Sequence, residues 1–220
     1  MKEITISQKI KNKLPGLTLG CIECDVKISE ENSELWREIE AVCGVIGHSG
    51  ELAEVGSHPA IRASRMAYRR CGKDPARYRL SSEALMRRVV KGHQLYRINN
   101  VVDLVNLVSL RSGMSIGGYD ADKISGNVVF DIGKSDEPYE AINRGELNIE
   151  FLPVFRDAQS PFGSPTSDSV RTSVTGTTKR FLMVIVGFSG DICTIDTVNQ
   201  SVELLIKYAG ATNIETRIVI

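Results

Sequence analysis

Patterns typical of β-strands lie at the start of the chain and through its second half. Residues 17–28 place Leu17, Leu19 and Cys21 at alternate positions, which is the spacing of a strand. Runs of β-branched and aromatic residues bounded by glycine predict further strands. The expected strands are residues 3–6, 17–28, 127–132, 147–155, 180–187 and 216–220.

Helical spacing prevails in the first half of the chain. Residues 33–43 predict a short helix that carries the only tryptophan, Trp36, and a Gly-rich stretch follows over residues 44–56. Ser57 is placed to cap the next helix, with Pro59 in the first turn, where proline is tolerated. Gly72 is expected to end this helix, whose small-residue face is formed by Ala60, Ala63, Ala67 and Cys71.

Three more helices follow from the same reasoning. One begins near Ser82 and ends at Gly92. The next, capped by Asn100, is apolar almost all round, so we expect it to be buried. The last has a single apolar face, made of Ile195, Val198, Val202, Leu205 and Ile206. Because helices cluster in the first half and strands in the second, the order favours an α+β fold over a doubly wound parallel sheet.

Length and composition suggest a protein of one domain. The chain has 220 residues and is 42% hydrophobic, which is enough for a sizeable core. No apolar run approaches the ~18 residues that would span a membrane. The first ten residues lack the basic-then-apolar pattern of a secretory signal, so we expect a cytoplasmic protein.

Five cysteines are scattered along the chain and do not form a disulfide framework. Cys21 and Cys24 make a CxxC motif, but it lies in an expected strand, where positions three apart face opposite sides. No second pair completes four metal ligands. The sequence therefore predicts no metal and no other cofactor.

Charge is unevenly distributed although the formal net charge is zero. Residues 58–97 hold eleven Lys or Arg and two acids, a balance of +9 that the remainder offsets. Two interpretations are open: a surface that meets a polyanion, or a solvated helical face paired with the chain's own carboxylates. If the first holds, the candidate phosphate-binding residues are Arg62, Arg65, Arg69, Lys73, Arg77 and Arg79.

Two other groups of residues could form a site. Asn106 lies on the buried helix, where its amide must bond the backbone or face a pocket. Residues 160–178 are a long loop dense in glycine, proline and hydroxyls, and long loops of this kind are often functional. Within it Asp168, Ser169 and Arg171 could hold a small charged ligand, or could simply form a solvated loop with an internal ion pair. The sequence has no P-loop, GxGxxG or GxSxG motif.

The segment RINNVVDLVNLVSLRSGMSIGGYDADKISGNVVF (97–130) resembles the B3/B4 domain of the phenylalanyl-tRNA synthetase beta subunit. GKDPARYR (72–79) and PFGSPTSDSVRT (161–172) are more similar to free-standing B3/B4 proteins. The resemblance runs from about Ile61 to Phe188. It implies a three-layer β/β/α sandwich and a link to tRNA, because the synthetase domain hydrolyses tyrosine wrongly esterified to tRNA.

The editing residues that the resemblance implies are mostly not retained. The helix asparagine matches Asn106, but Val105, Gly117 and Val184 stand where the family has threonine, histidine and glutamate. Tyr96 stands where the family has arginine, although Arg97 is adjacent. Hydrolysis of an ester needs an oriented water and donors to the oxyanion, which valine cannot supply.

The leading hypothesis is therefore a module that binds tRNA or aminoacyl-tRNA, with trans-acting deacylation as a further possibility. The alternative is a binder or enzyme of a free amino acid or related metabolite that uses no RNA. Residues 1–57 are expected to be an extension packed on a core of residues 58–220. The expected pocket residues are Asn106, Gly117, Gly118, Asp168, Ser169 and Arg171.

Overall fold

The structure is a computed structural model that describes residues 1–49, 51–188 and 190–220. It combines helices and strands throughout, and the expected α+β class is confirmed. The helices are α1 (Gln8–Lys13), α2 (Ser33–Ser49), α3 (Leu52–Val55), α4 (Pro59–Cys71), α5 (Ser81–Val90), α6 (Asn100–Ser112) and α7 (Asp191–Ala209). The strands are β1 (Ile4–Ile6), β2 (Thr18–Asp25), β3 (Ser115–Asp120), β4 (Val128–Ile132), β5 (Glu140–Ala141), β6 (Gly145–Glu146), β7 (Pro153–Arg156), β8 (Pro161–Gly163), β9 (Arg180–Gly187) and β10 (Thr212–Val219).

Two four-stranded sheets organise the fold. The first sheet has the order β1-β4-β7-β8, with β1 parallel to β4 and the other pairs antiparallel. The second has the order β10-β2-β9-β3 and is antiparallel throughout. Strand β3 is thus an edge strand of the second sheet, and this position matters for the candidate site.

The core has two main layers, one on each face of the second sheet. Between the sheets, Leu19, Cys21 and Val184 pack against Phe130 and Phe155 of the first sheet. The opposite face of the second sheet packs on α2, α6 and α7 through a separate apolar cluster. The result is a β/β/α sandwich, in which β2 and β9 are buried on both faces.

Local signals place the ends of the central helices. Helix α4 has Pro59 in its first turn and ends at Gly72, which adopts φ +101°, a left-handed value that glycine reaches without a Cβ penalty. The cap of α4 is His58, not Ser57. Likewise Asn99, not Asn100, caps α6 by accepting a hydrogen bond from the Val102 N–H.

Asn100 instead ties α6 to two other elements. Its side-chain amide donates to the carbonyls of Lys27 and Tyr208, and its oxygen accepts from the Ser29 N–H. The expected burial of α6 is confirmed, because the side chains of Val101, Leu104, Leu107, Val108 and Leu110 are all buried.

Besides the two helix caps, two sequence expectations about local structure were wrong. The Gly-rich stretch over residues 44–56 continues α2 to Ser49 and then forms α3; Gly50 lies outside the described residues. Residues 147–152 are not part of a strand, because β7 begins only at Pro153. Phe151 there has φ +64°, which is incompatible with extended pairing.

Both strands at the start of the chain belong to the two main sheets. β1 pairs with β4, and β2 lies between β10 and β9. The expected division at residue 57 stays a prediction, although these pairings join the first residues closely to the rest. No helix among the described residues is long and apolar enough to cross a membrane.

The two cysteines of the CxxC motif face opposite sides of β2, as alternation predicts. Cys21 belongs to the layer between the sheets and Cys24 to the helical layer. Burial raises the pKa of both thiols to about 12, which disfavours the thiolate that a metal would need. Among the residues that the structure describes, no group of three metal-ligating side chains comes together. The side chain of Cys193 lies outside them.

Candidate functional site

Asp168 provides a partly buried carboxyl group beside the edge strand β3. Its Oδ1 accepts a hydrogen bond from the Tyr119 hydroxyl at 2.8 Å. Burial raises the pKa of Asp168 to about 7 and outweighs the opposing effects of Tyr119 and of the Gly118 and Ser164 backbone. The group can therefore gain or lose a proton near neutral pH.

The phenol ring of Tyr119 fills the volume beside Gly117. Tyr119 is fully buried, and its ring meets Phe162 edge-on with the ring centroids 5.0 Å apart. A Cβ on Gly117 would lie 2.0 Å from the phenol oxygen, and one on Gly163 would lie 2.2 Å from it. Both glycines are thus needed to admit the ring, and no ligand fits beside Gly117 while the ring stays there.

Gly118 and Asn106 are more accessible than Gly117. Gly118 is half-buried, and a Cβ on it would meet Val105 of α6 at 3.4 Å. Asn106 follows Val105 on α6 and is also half-buried; its amide has no hydrogen-bond partner in the described part of the chain. These residues leave donors and acceptors open at the boundary between α6 and β3.

Arg171 serves a different part of the loop from Asp168. Its guanidinium donates to the Asp157 carboxylate at 3.0 Å and to the Ser160 carbonyl at 3.3 Å. Ser169 is buried, and its hydroxyl accepts from the Arg171 backbone N–H, which caps the 3-10 turn Val170–Thr172. The expected grouping of Asp168, Ser169 and Arg171 around one ligand is therefore not formed, because two of the three are used to shape the loop.

The expected phosphate-binding residues divide into exposed and engaged groups. Arg62 and Arg69 lie on one face of α4, are exposed, and have no acidic partner within the described residues. Arg77 is also exposed, with its guanidinium 5.7 Å from the centre of the Tyr78 ring. These three side chains remain free to contact an external anion.

Glu83 forms ion pairs with three arginines, Arg65, Arg79 and Arg87. Its carboxylate is fully buried and accepts from Arg65 Nη1 at 2.9 Å on both oxygens and from Arg87 Nε at 2.9 Å. Arg79 Nε lies 3.9 Å away. One carboxylate thus faces three guanidinium groups, which leaves a local excess of positive charge and several N–H donors without a partner.

Lys73 is engaged inside the chain. It is buried, and its ammonium group donates to the carbonyls of Asn148 at 3.0 Å and Glu150 at 2.6 Å, while lying 3.8 Å over the Tyr78 ring. Burial lowers the pKa of Lys73. A role for Lys73 on RNA stays a prediction, but none of its surroundings points to an external ligand.

A groove between α2 and α5 escaped the sequence analysis. It has a volume of about 470 Å³, and its lining includes Trp36, Arg97, His48 and His93. A second cavity of about 230 Å³ lies between α4 and the segment that follows α1. Neither is lined by Asn106 or Asp168. The lone tryptophan and the arginine next to Tyr96 were the signals that could have identified the groove.

Comparison with known families identifies one that covers more than half of the chain. The model of the family described as the B3/4 domain matches residues 63–200. Among solved structures, an N-terminal fragment of the phenylalanyl-tRNA synthetase beta-subunit from Pyrococcus horikoshii matches at 13% identity, with a TM-score of 0.49. That match covers 99% of this chain and 50% of the other, so the chain spans half of that structure's length. A search of curated protein sequences finds no match.

Proposed function

The chain belongs to the B3/4 domain family, and from this we propose that it is a tRNA-binding module that holds the RNA backbone on the surface of α4 and α5. The sequence resemblance to the editing domain of phenylalanyl-tRNA synthetase supplies the class of ligand. A tRNA ligand would also place the protein in the cytoplasm.

The surface that carries this proposal is an arginine face, defined by Arg62, Arg65, Arg69, Arg79 and Arg87. With Glu83 it has a formal balance of +4. Guanidinium groups bind phosphates through paired N–H donors, and roughly half to two-thirds of the hydrogen bonds between proteins and DNA go to phosphate and sugar groups. The proposal rests on one observation: Arg62 and Arg69 are exposed and have no acidic partner among the described residues.

Glu83 prepares this face for an anion. Arg65 Nη1 and Arg87 Nε each donate to Glu83 Oε1 at 2.9 Å, and these bonds restrict the rotamers of both side chains before a ligand binds. Less conformational entropy is therefore lost on binding. Arg65 Nη2 and the two terminal nitrogens of Arg87 are not used by Glu83. The carboxylate therefore acts as an internal anchor, and the arginines keep donors for phosphate.

We place the aminoacyl end of the tRNA near Asn106, Gly118 and Asp168. This assignment is supported by the open amide of Asn106, next to Val105 on α6, and by the Asp168 carboxyl, which lies beside the Gly118 backbone and has a pKa near neutrality. Gly117 lies under Tyr119, so we propose binding and not ester hydrolysis as the activity of this surface.

Filter binding with a tRNA mixture at low salt tests the main proposal. The double variant Arg62→Ala/Arg69→Ala should weaken binding about tenfold or more, because two phosphate contacts are lost. Arg217→Ala is the matched control, since Arg217 is exposed on β10, at the edge of the sheet opposite β3. Absence of tRNA binding by the unaltered protein, or equal losses in the double variant and the control, would contradict the proposal.

A panel of mischarged aminoacyl-tRNAs tests the restriction to binding. We expect ester loss no faster with the protein than without it. Rapid loss of one aminoacyl group, abolished by Asp168→Asn, would show instead that Tyr119 moves aside and that the module is a deacylase.

A further inference from the structure

The groove between α2 and α5 has the size and lining of a small-ligand site. Its volume of about 470 Å³ falls in the range of such sites. Ile39, Val89 and Leu95 give it apolar walls, and His48, His93 and Arg97 add polar groups. One wall belongs to α2, which precedes the residues that match the family model.

A stacked platform forms one side of the groove. The indole N–H of Trp36 donates to Asp103 Oδ2 at 2.8 Å, which fixes the ring. The Arg97 guanidinium lies over this ring, 4.5 Å from its centroid, and donates to Glu40 Oε1 at 3.2 Å. The Arg97 side chain is 61% exposed, so the face that is turned away from Trp36 stays open.

Such a platform suits a planar ring. Arginine guanidinium planes and aromatic side chains are the surfaces on which unpaired nucleobases stack. A second pair of the same kind lies outside the groove lining: the guanidinium of Arg88 lies 4.2 Å from the centroid of the ring of Tyr96, which precedes Arg97 in sequence. Tyr96 itself is 69% exposed.

No unpaired carboxylate of the lining opposes an anion in this groove. Glu40, an acidic residue of the lining, is paired with Arg97, the lining residue His93 is exposed, and the exposed Lys91 directly precedes Gly92 of the lining in sequence. Gly44 also lines the groove, and a Cβ at this position would meet nothing within 4 Å. Glycine is a poor helix former, so Gly44 does not favour the helical conformation of α2. Its lack of a side chain instead leaves the groove open at this position.

We propose that this groove binds a nucleotide, with the base stacked on the outer face of Arg97 and the phosphate at the mouth beside Lys91 and His93. The nucleotide could be free or could be the unpaired end of an RNA. Only the second source rests on the proposed tRNA binding.

Fluorescence of Trp36, the only tryptophan in the chain, reports on the groove directly. Titration with AMP, excited at 295 nm, should change the emission saturably, and inorganic phosphate alone should not. Equilibrium dialysis with labelled AMP measures the affinity independently. Arg97→Lys keeps the charge but removes the planar group, and should weaken AMP binding about tenfold. The control Arg37→Lys, on the exposed side of α2 and outside the groove lining, should not.

Comparison of a single-stranded RNA trinucleotide with AMP distinguishes the two sources. Tighter binding of the single strand than of AMP indicates an RNA end, and the reverse indicates a free nucleotide. If AMP binds while tRNA does not, the proposed function fails and this inference stands. If neither AMP nor the trinucleotide binds in dialysis, or if Arg97→Lys binds as well as the unaltered protein, the inference is wrong even where tRNA binds to the arginine face.

Discussion

At Tyr119, one phenol ring occupies the volume between Gly117 and Gly163, and its hydroxyl holds the Asp168 carboxyl at 2.8 Å. The position at which the family resemblance implies a histidine is thus a glycine because a tyrosine two residues later on the same face of β3 needs the space. The space that a side chain at Gly117 would occupy is filled by the Tyr119 ring, which belongs to the apolar core between the sheets.

The ionisation of Asp168 should make stability depend on pH. Its pKa is raised from 3.8 to about 7, so the folded protein holds the proton more tightly than the unfolded chain does. The resulting stabilisation is complete below pH 3.8 and is lost as the pH rises to about 7. Between pH 5 and pH 8 the unaltered protein should lose on the order of 2 kcal/mol more stability than Asp168→Asn, which cannot ionise.

Urea unfolding followed by Trp36 fluorescence at the two pH values measures this difference. Asp122→Asn, at an exposed aspartate, serves as the control and should behave like the unaltered protein. The same loss of stability in Asp168→Asn as in the unaltered protein would show that the carboxyl is ionised without penalty in the fold.

Single elements owe their shape to contacts from distant parts of the chain. The turn over residues 148–151 is stabilised by Lys73, which lies 75 residues from Asn148 in sequence. The Lys73 ammonium group donates hydrogen bonds to the carbonyls of Asn148 and Glu150. Those carbonyls are then not available to a neighbouring strand. Helix α5 is similarly tied to α4, because Glu83 accepts from Arg65.

Lys73→Met tests the structural role of this lysine. The change removes the donors to two carbonyls while keeping most of the side-chain volume, so we expect a loss of about 1–3 kcal/mol in the free energy of unfolding. Lys179→Met, at an exposed position, should cost far less. If Lys73→Met is as stable as the control but has lost affinity for tRNA, Lys73 is an RNA contact after all.

Glu83→Gln tests the anchor between α4 and α5. Loss of the carboxylate leaves three guanidinium groups close together without a counter-charge, and we expect a destabilisation of about 1–3 kcal/mol in thermal or urea unfolding. Glu203→Gln, on the exposed side of α7, is the matched control. Equal stability of both variants would mean that Glu83 does not organise the arginines.

Local patterns predicted most elements because their causes are local. The apolar circumference of α6, the proline and glycine at the ends of α4, and the alternation in β2 each act within a few residues. Of the strand expected over residues 147–155, only the part from Pro153 onward forms, because Lys73 holds residues 148–151 in a turn. Which arginines are free could not be predicted either, since Arg65 and Arg62 differ only in whether Glu83 lies opposite.

At the scale of the molecule, the first residues and the family core form common sheets. The arginine face carries positive charge with few acidic partners, whereas the second sheet pairs charges internally: Arg180 of β9 contacts Glu23 and Asp25 of β2 and Glu215 of β10. A polyanion should therefore approach from the side of α4 and α5.

The salt dependence of tRNA binding tests this account most directly. Log affinity should fall linearly with log salt concentration, with a slope of about −4 if some five phosphates meet the arginine face. Arg62→Ala/Arg69→Ala should reduce the magnitude of that slope by about 1.5–2, and Arg217→Ala should leave it unchanged. Binding whose slope is the same in all three proteins, or no binding at low salt, would contradict the claim that this face holds the RNA backbone.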